Sequence, residues 1–225
     1  MQNLLEKDIH IDIKNKENKF CFIGVALGES GSSETGIAAL DRDLNLIRVD
    51  KAYNLSELKL NLARIAPFES SIACVSLPRN MMMLNGKWRI ESKFTRSLKL
   101  GNFENTKYVW TQRFSDRGSE LCKNFTDEGM EVFRYNCYYT QNVLQITPPY
   151  RSRTPAACKY FQMILENKLN ISGLPTNLIP LPAMNAILGA YVAWKMINSD
   201  ENIGYKQIGM HKNLPVISAL PENND

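Results

Sequence analysis

Short, nearly continuous apolar runs separated by small polar turns dominate the first part of the chain. The run 20–27 (FCFIGVAL) is followed by a polar turn at 28–36, and shorter apolar runs occupy 36–40 and 45–49. Apolar runs of about four to eight residues are typical of buried strands. Three such strands joined by short turns predict an antiparallel meander.

The middle of the chain predicts a helix, a fourth buried strand and a long insertion. Ser56 can cap the helix, and the apolar run 70–77 predicts the strand. Pro78 ends this strand, because proline cannot donate to a sheet ladder. Residues 79–115 are predicted to be an insertion over the sheet, partly helical from about 90 to 98.

The second half of the chain alternates between helical and extended patterns. It predicts a helix at 115–127, a strand at 130–135, helices at 156–169 and 183–197, and one short edge strand within 213–221. A meander followed by alternating helices and strands predicts an α/β fold with a mixed sheet covered by helices. We expect a single domain over 19–221, with a polar N-terminal arm at 1–18.

Composition supports an ordinary globular core and argues against several classes of protein. Of the 225 residues, 44% are hydrophobic and 22% are charged, which is close to the average globular protein. No apolar run reaches the roughly 20 residues of a membrane span, and the charged N-terminus lacks the apolar segment of a signal peptide. We therefore expect a cytoplasmic protein with no membrane partner.

The cysteines and histidines give little support for a metal site. The five cysteines are an odd number without C-x-x-C spacing, and Cys21 and Cys74 lie in predicted strands. We expect buried, reduced thiols, which agrees with a reducing compartment. The two histidines, His10 and His211, lie near opposite ends of the chain, so a histidine-rich metal site is not expected.

Positive charge is concentrated between Arg79 and Arg113. Eight basic residues fall in this stretch against two acidic ones, although the net charge of the whole chain is only +4. Such a stretch can attract phosphate, and Trp88 and Trp110 within it could stack on bases. A solvated surface, with the two tryptophans packing the insertion onto the domain, explains the same pattern.

Three motifs, taken in order, point to a family. They are IGVALG at 23–28, which TGIAALD follows, VSLP at 75–78, and MNAILGAYVAW at 184–194. Together they resemble an uncharacterised family of predicted RNase H-like nucleases, domain of unknown function 429, over roughly residues 20–220. The resemblance implies an RNase H-like mixed sheet, in which parallel strands extend the three-stranded meander.

The family's acidic positions are replaced in this chain. The resemblance places its three carboxylates at Ala26, Ser76 and Asn185, and a further acidic position near Asn136. An RNase H-like nuclease holds the scissile phosphate between two metals about 3.5–4 Å apart, and Mg²⁺ prefers anionic oxygen ligands. We therefore expect no metal-dependent nuclease activity, no cofactor and no metal site, with Glu29 as the nearest acidic substitute.

Three functions remain open. The first is a non-catalytic domain whose cleft binds a nucleic acid, a nucleotide or a partner protein. The second is a nuclease that uses Mg²⁺ or Mn²⁺ with relocated acids such as Glu29, Asp41 or Glu91, and the third is a structural or assembly protein. The predicted ligand-binding residues surround the expected cleft: Arg79, Asn80, Trp110, Arg113, Tyr150, Arg151 and Arg153.

Overall fold

The computed structural model describes residues 13–14, 16–28, 34–79, 81–90, 106–150 and 154–222. Its nine described strands are β1 (Cys21–Ala26), β2 (Thr35–Leu40), β3 (Leu46–Ala52), β4 (Ser71–Ser76), β5 (Met81–Leu84), β6 (Lys87–Ile90), β7 (Glu131–Tyr135), β8 (Tyr205–His211) and β9 (Leu214–Ala219). The described helices are α1 (Leu55–Ala63), α2 (Thr106–Asp127), α3 (Cys137–Val143), α4 (Pro155–Asn167) and α5 (Leu181–Asn198), with short 3-10 helices at Lys16–Asn18 and Phe68–Ser70.

All nine strands belong to one mixed sheet, in the order β3-β2-β1-β4-β7-β9-β8-β6-β5. Strands β1, β2 and β3 form an antiparallel meander, which is extended by β4, parallel to β1, and then by β7, parallel to β4. The α/β class and the meander extended by parallel strands confirm the predicted fold class. Beyond β7 the sheet continues through the antiparallel pair β9–β8 and then the β6–β5 hairpin.

Helices cover both faces of the sheet, and the alternation of side chains along β1 shows which helix lies on which face. Ile23 and Val25 pack with residues of α1 and α2. Phe22 and Ala26 point to the opposite face and pack with α4 and α5. Because successive side chains of a strand point to opposite faces, β1 must be apolar throughout, as its sequence shows.

Helix α5 lies directly on the backbone of β1 and β2. A Cβ atom on Gly24 would be 1.8 Å from the carbonyl oxygen of Ala186, and one on Gly36 would be 2.1 Å from that of Pro182. A Cβ on Gly189 would be 2.7 Å from the ring of Tyr135. These glycines allow the helix to approach the sheet more closely than any side chain would permit.

The predicted insertion at 79–115 was partly wrong. Residues 81–90 form the β5–β6 hairpin, which extends the edge of the sheet instead of lying over it, and α2 begins at Thr106 instead of Ser115. The two-residue turn Asn85–Gly86 has positive φ at both positions, the geometry that tight hairpins favour. The helix predicted at 90–98 lies outside the described residues.

The strand predicted within 213–221 is confirmed as β9, but its predicted place at the edge of the sheet was wrong. The tail forms a hairpin of two strands, and β9 lies inside the sheet between β7 and β8 instead of at its edge. Helix α3 was not predicted, and α1 begins after Asn54, whose side chain accepts from the N–H of Glu57, instead of after Ser56. The five cysteines are buried and unpaired, which confirms that part of the prediction. Within the described residues, no helix is long and apolar enough to cross a membrane.

Candidate functional site

Two of the three positions at which the family resemblance expects carboxylates lie side by side. Val25 of β1 pairs with Val75 of β4, so Ala26 and Ser76 follow in register at the carboxyl ends of these strands. Both residues are buried. The Ser76 hydroxyl oxygen accepts a hydrogen bond from the N–H of Leu27 at 2.9 Å. It therefore satisfies the backbone N–H of the residue that follows β1.

The third position, Asn185, reaches the same end of the sheet from the second turn of α5. Its backbone carbonyl accepts from the hydroxyl of Tyr135 at 2.6 Å, and Tyr135 is the β7 residue that pairs with Ser76. Its side-chain oxygen accepts from the amide of Gln141 at 3.1 Å. Tyr135 and Asn185 therefore link the strand ends to the helix without any carboxylate.

These residues do not fit a two-metal site. Ala26 has no ligand atom, and the oxygens of Ser76 and Asn185 are neutral and already bonded within the protein. Hard divalent cations need anionic oxygens. In the described part of the chain, no group of three His, Cys, Asp or Glu side chains could hold a metal ion.

Of the other acidic and amide candidates, Asn136 and Asp41 lie within the described residues and at opposite ends of the sheet. Asn136 is buried and caps α3, because its side-chain oxygen accepts from the N–H of Tyr139 at 2.9 Å. Asp41 follows β2 at the opposite end of the sheet, where its carboxylate accepts from the N–H groups of Asp43 and Asn45. Glu29 and Glu91 lie outside the described residues.

The predicted ligand-binding residues that are described do not form a single cluster. The Arg79 guanidinium lies 4.5 Å from the ring centre of Tyr138 on α3, and the Tyr150 ring packs edge-on against Tyr160 of α4. Arg113 is exposed on α2, which covers the other face of the sheet. Trp110 belongs to α2, but its side chain is outside the described part, as are Asn80, Arg151 and Arg153.

A cleft on the α2 face of the sheet brings together a different set of residues. It has a volume of about 520 Å³, within the usual range for small-ligand sites. Strand β6 contributes Lys87 and Arg89, α2 contributes Gln112 and Ser115, and His211 and Lys212 come from the end of β8 and the turn after it. We call this the cationic cleft, because Lys87, Arg89 and Lys212 are all exposed at it.

Backbone geometry in two hairpins creates the cleft. The β8–β9 turn consists of Lys212 and Asn213, which both have positive φ, as a tight hairpin turn requires. Gly209 sits in a β-bulge of β8 with a φ of +129°, and its Cβ would be 2.9 Å from the carbonyl oxygen of Gly86. This glycine lets β8 approach the β5–β6 hairpin closely, and the Trp88 indole then donates to the carbonyl of Ile208 at 3.2 Å.

His211 and Ser115 form the inner wall of the cationic cleft. The two side chains are buried, and the His211 Nε2 lies 3.1 Å from the Ser115 hydroxyl oxygen. Burial and the positive charges of Arg134 and Lys212 lower the pKa of His211 to about 3, against the weaker opposite effect of Asp116. Such a weakly basic imidazole is a poor general base for the Ser115 hydroxyl.

Arg134 lies behind the cleft, fully buried between β4, β7 and α2. It donates to the Ser76 carbonyl at 2.8 Å and contacts the Cys122 sulfur at 3.7 Å. Gly118 of α2 leaves room for the Arg134 guanidinium, because a Cβ at this position would lie 2.9 Å from the Arg134 Nη2 atom. Burial raises the pKa of the Cys122 thiol, so this neighbour is neutral at physiological pH.

Sequence reasoning placed Lys87, Trp88 and Arg89 in a basic stretch but missed the residues from α2 and β8 that complete this cleft, although two signals were present. An arginine stands among the apolar residues of the strand pattern MEVFRY, on the same face as Met130 and Val132. The dipeptide Asn85–Gly86 between two apolar segments indicates a hairpin. No local signal, however, brings Ser115 to His211, which is 96 residues away.

Comparison of the chain with protein-family models and with curated proteins finds no match. The RNase H-like relationship therefore stays a prediction that rests on the three sequence motifs. The strand order is β3-β2-β1-β4-β7, and Ala26 and Ser76 lie at adjacent strand ends.

Proposed function

We propose that this chain is an RNase H-like domain that binds nucleic acid through the cationic cleft and does not cut it in a metal-dependent reaction. The cleft carries the binding part of this proposal. Lys87, Arg89 and Lys212 are exposed around it, and Asp116 bonds to Lys212 at 2.7 Å. Positive charge that exceeds the neighbouring negative charge attracts the phosphate backbone.

The proposed lack of metal-dependent cleavage is supported by a separate observation. The three positions that would carry carboxylates are Ala26, Ser76 and Asn185, and their polar atoms bond within the protein. Building a two-metal site there would require new anionic ligands in a buried region. The fold could thus retain a nucleic-acid-binding surface while the hydrolytic chemistry is lost.

Salt dependence of binding tests the cleft. We expect fluorescence anisotropy with a labelled single-stranded oligonucleotide to show binding that weakens as salt increases. Each phosphate contact contributes about 0.7 to the slope of log K against log salt for single strands. The double variant Lys87→Gln/Arg89→Gln should therefore lower the slope by roughly 1.4 and weaken binding at every salt concentration.

A matched control removes the same charge elsewhere. Lys123 near the end of α2 and Lys159 on α4 are exposed and do not line the cleft. The variant Lys123→Gln/Lys159→Gln should keep the wild-type slope. Equal effects of the two double variants would show that binding depends on net charge alone and would contradict the assignment to the cleft.

The catalytic part is tested in the same samples. Labelled single- and double-stranded DNA and RNA should remain intact with Mg²⁺ or Mn²⁺. Cleavage that needs either metal and disappears in Glu29→Ala would refute the non-catalytic proposal and favour a nuclease with relocated acids. Absence of any binding would refute the nucleic-acid proposal and favour an assembly role.

A further inference from the structure

The cationic cleft has an inner end whose positive charge is not neutralised within the described part of the chain. This charge belongs to Arg134, which does not line the cleft but is fully buried behind it, near enough to His211 to lower the pKa of its imidazole. Its guanidinium contacts a carbonyl and a thiol, neither of which carries a negative charge. Its Nε atom has no partner among the described residues. A buried cation without an anion is unfavourable, so the inner end of the cleft favours a ligand that brings negative charge.

His211 marks the same place independently. Only 4% of its surface is exposed, it lines the cleft, and its Nδ1 has no partner among the described residues. Its Nε2 is engaged with Ser115. A buried polar atom without a partner is costly and rare in native proteins. An anionic ligand in the cleft would lie next to this imidazole and would favour its protonated form, in which both ring nitrogens donate.

The charged groups around the cleft add to a net positive environment. Asp116 of α2 neighbours His211, and its carboxylate accepts a hydrogen bond from a lysine at the cleft. That lysine, Lys212, is thereby neutralised, whereas Lys87 and Arg89 on β6 form no salt bridge with an acidic side chain of the described residues. Arg134 therefore adds to an excess of cations over carboxylates.

We infer that the inner end of the cationic cleft binds a terminal phosphate group, as carried by a nucleotide or by the end of a nucleic acid strand. A terminal phosphate carries close to two negative charges at neutral pH, because its second pKa is about 6. An internal phosphodiester carries one. Since the Coulomb energy scales with charge, the excess of cations favours the dianion. This inference rests on the proposed function and specifies the chemical group recognised.

The size of the cleft supports the same ligand. A volume of about 520 Å³ suits a small molecule or a single nucleotide. A terminal phosphate can reach Ser115 and His211 while the rest of a strand passes Lys87 and Arg89 on its way out. One strand end would in this way use both the buried and the exposed parts of the cleft.

Phosphorylated and unphosphorylated versions of one oligonucleotide test this inference on the full chain. The probes are a labelled thymidine 12-mer with a 5′-phosphate, the same 12-mer with a 3′-phosphate, and the 12-mer with hydroxyl groups at both ends. We expect one phosphorylated form to bind at least tenfold more tightly than the hydroxyl form. Thymidine monophosphate should displace it, and thymidine should not.

A variant locates the effect in the cleft. His211→Gln keeps an amide near Ser115 but removes the imidazole, and it should reduce the preference for the phosphorylated strand to less than threefold. If this variant unfolds, Ser115→Ala at the same wall provides the second measurement. Thermal unfolding shows which variant is folded. A full phosphate preference in a folded His211→Gln or Ser115→Ala protein would overturn the placement of the phosphate.

The outcomes separate this inference from the proposed function. Equal, salt-dependent binding of the phosphorylated and hydroxyl strands would overturn the terminal-phosphate site and leave nucleic-acid binding intact. Binding of thymidine monophosphate without binding of either strand would support the phosphate site and refute the nucleic-acid proposal. A free nucleotide as the ligand would then replace a strand end.

Discussion

Replacing Gly24 with alanine tests the closest contact between a helix and the sheet. The new Cβ would lie 1.8 Å from the carbonyl oxygen of Ala186 and 2.4 Å from the nitrogen of Ala190. Both are backbone atoms of α5, so no side-chain rotation can relieve the overlap. Ordinary contact begins at about 3.4 Å, so the helix must move by roughly 1.6 Å.

The cost of this movement follows from the burial of α5. Twelve of its eighteen residues are buried, so a shift of the helix loosens packing along most of its length. A gap of 0.5–1 Å already removes about a quarter to a half of each dispersion contact. Overpacking usually costs about 1–3 kcal/mol, and because backbone meets backbone here we expect about 4 kcal/mol.

Thermal unfolding followed by circular dichroism measures the effect. For a chain of this length, 1 kcal/mol corresponds to about 2–4 °C in Tm, so Gly24→Ala should lower Tm by roughly 8–16 °C. Gly86→Ala is the control, since it has positive φ but no neighbour within 4 Å, and it should cost about 1 kcal/mol of backbone strain. A Gly24→Ala protein whose Tm lies within about 2 °C of the wild-type value would refute the close contact between α5 and the backbone of β1.

Three further predictions concern single residues. Because the unfolded chain takes up a proton near pH 6.5 and folded His211 does so only near pH 3, stability should fall as pH decreases below about 6.5. His211 should account for about 1.4 kcal/mol of the loss between pH 8 and pH 5.5, and urea unfolding of His211→Gln should lack this part. Ala26→Asp should lower the free energy of unfolding, measured with urea, by several kcal/mol, because it buries a carboxylate. Ala26→Ser should cost far less, and equal urea midpoints for the two variants would contradict the burial. Asn136→Ala should cost about 1 kcal/mol through loss of the α3 cap, and an unchanged thermal midpoint would show that the cap does not contribute.

The sequence was sufficient for the parts of the fold that local pattern specifies. Strands β1 and β4 are nearly continuous apolar runs, and such a run is stable in a sheet only when both faces are covered. Helix α5 is apolar almost all round, which predicted its burial. Their boundaries agree with the predicted ones to within about two residues.

Long-range pairing accounts for most of what sequence reasoning missed. Residues 81–90 carry a hairpin signal at Asn85–Gly86, but nothing in that segment shows that β6 will pair with β8 from the end of the chain. The same applies to the wall formed by Ser115 and His211. The motif residues Ala26 and Ser76 could be placed together because they end neighbouring parallel strands, whereas the cationic cleft combines three distant segments.

The position of β9 inside the sheet has a consequence for the order in which the protein can assemble during synthesis. The β5–β6 hairpin follows β4 closely in sequence but lies at the far edge of the sheet, which it reaches through β8 and β9. A ribosome therefore releases this hairpin long before its partner strands are synthesised. The apolar side chains of Met81 and Trp88 stay unburied until β8 and β9 supply Ile208 and Val216. Non-local pairings of this kind slow folding and prolong the exposure of apolar surface. The β8–β9 hairpin thus completes the sheet after its other strands have been synthesised, and a nascent chain that stops before Tyr205 would contain the β1–β4–β7 core without a cleft.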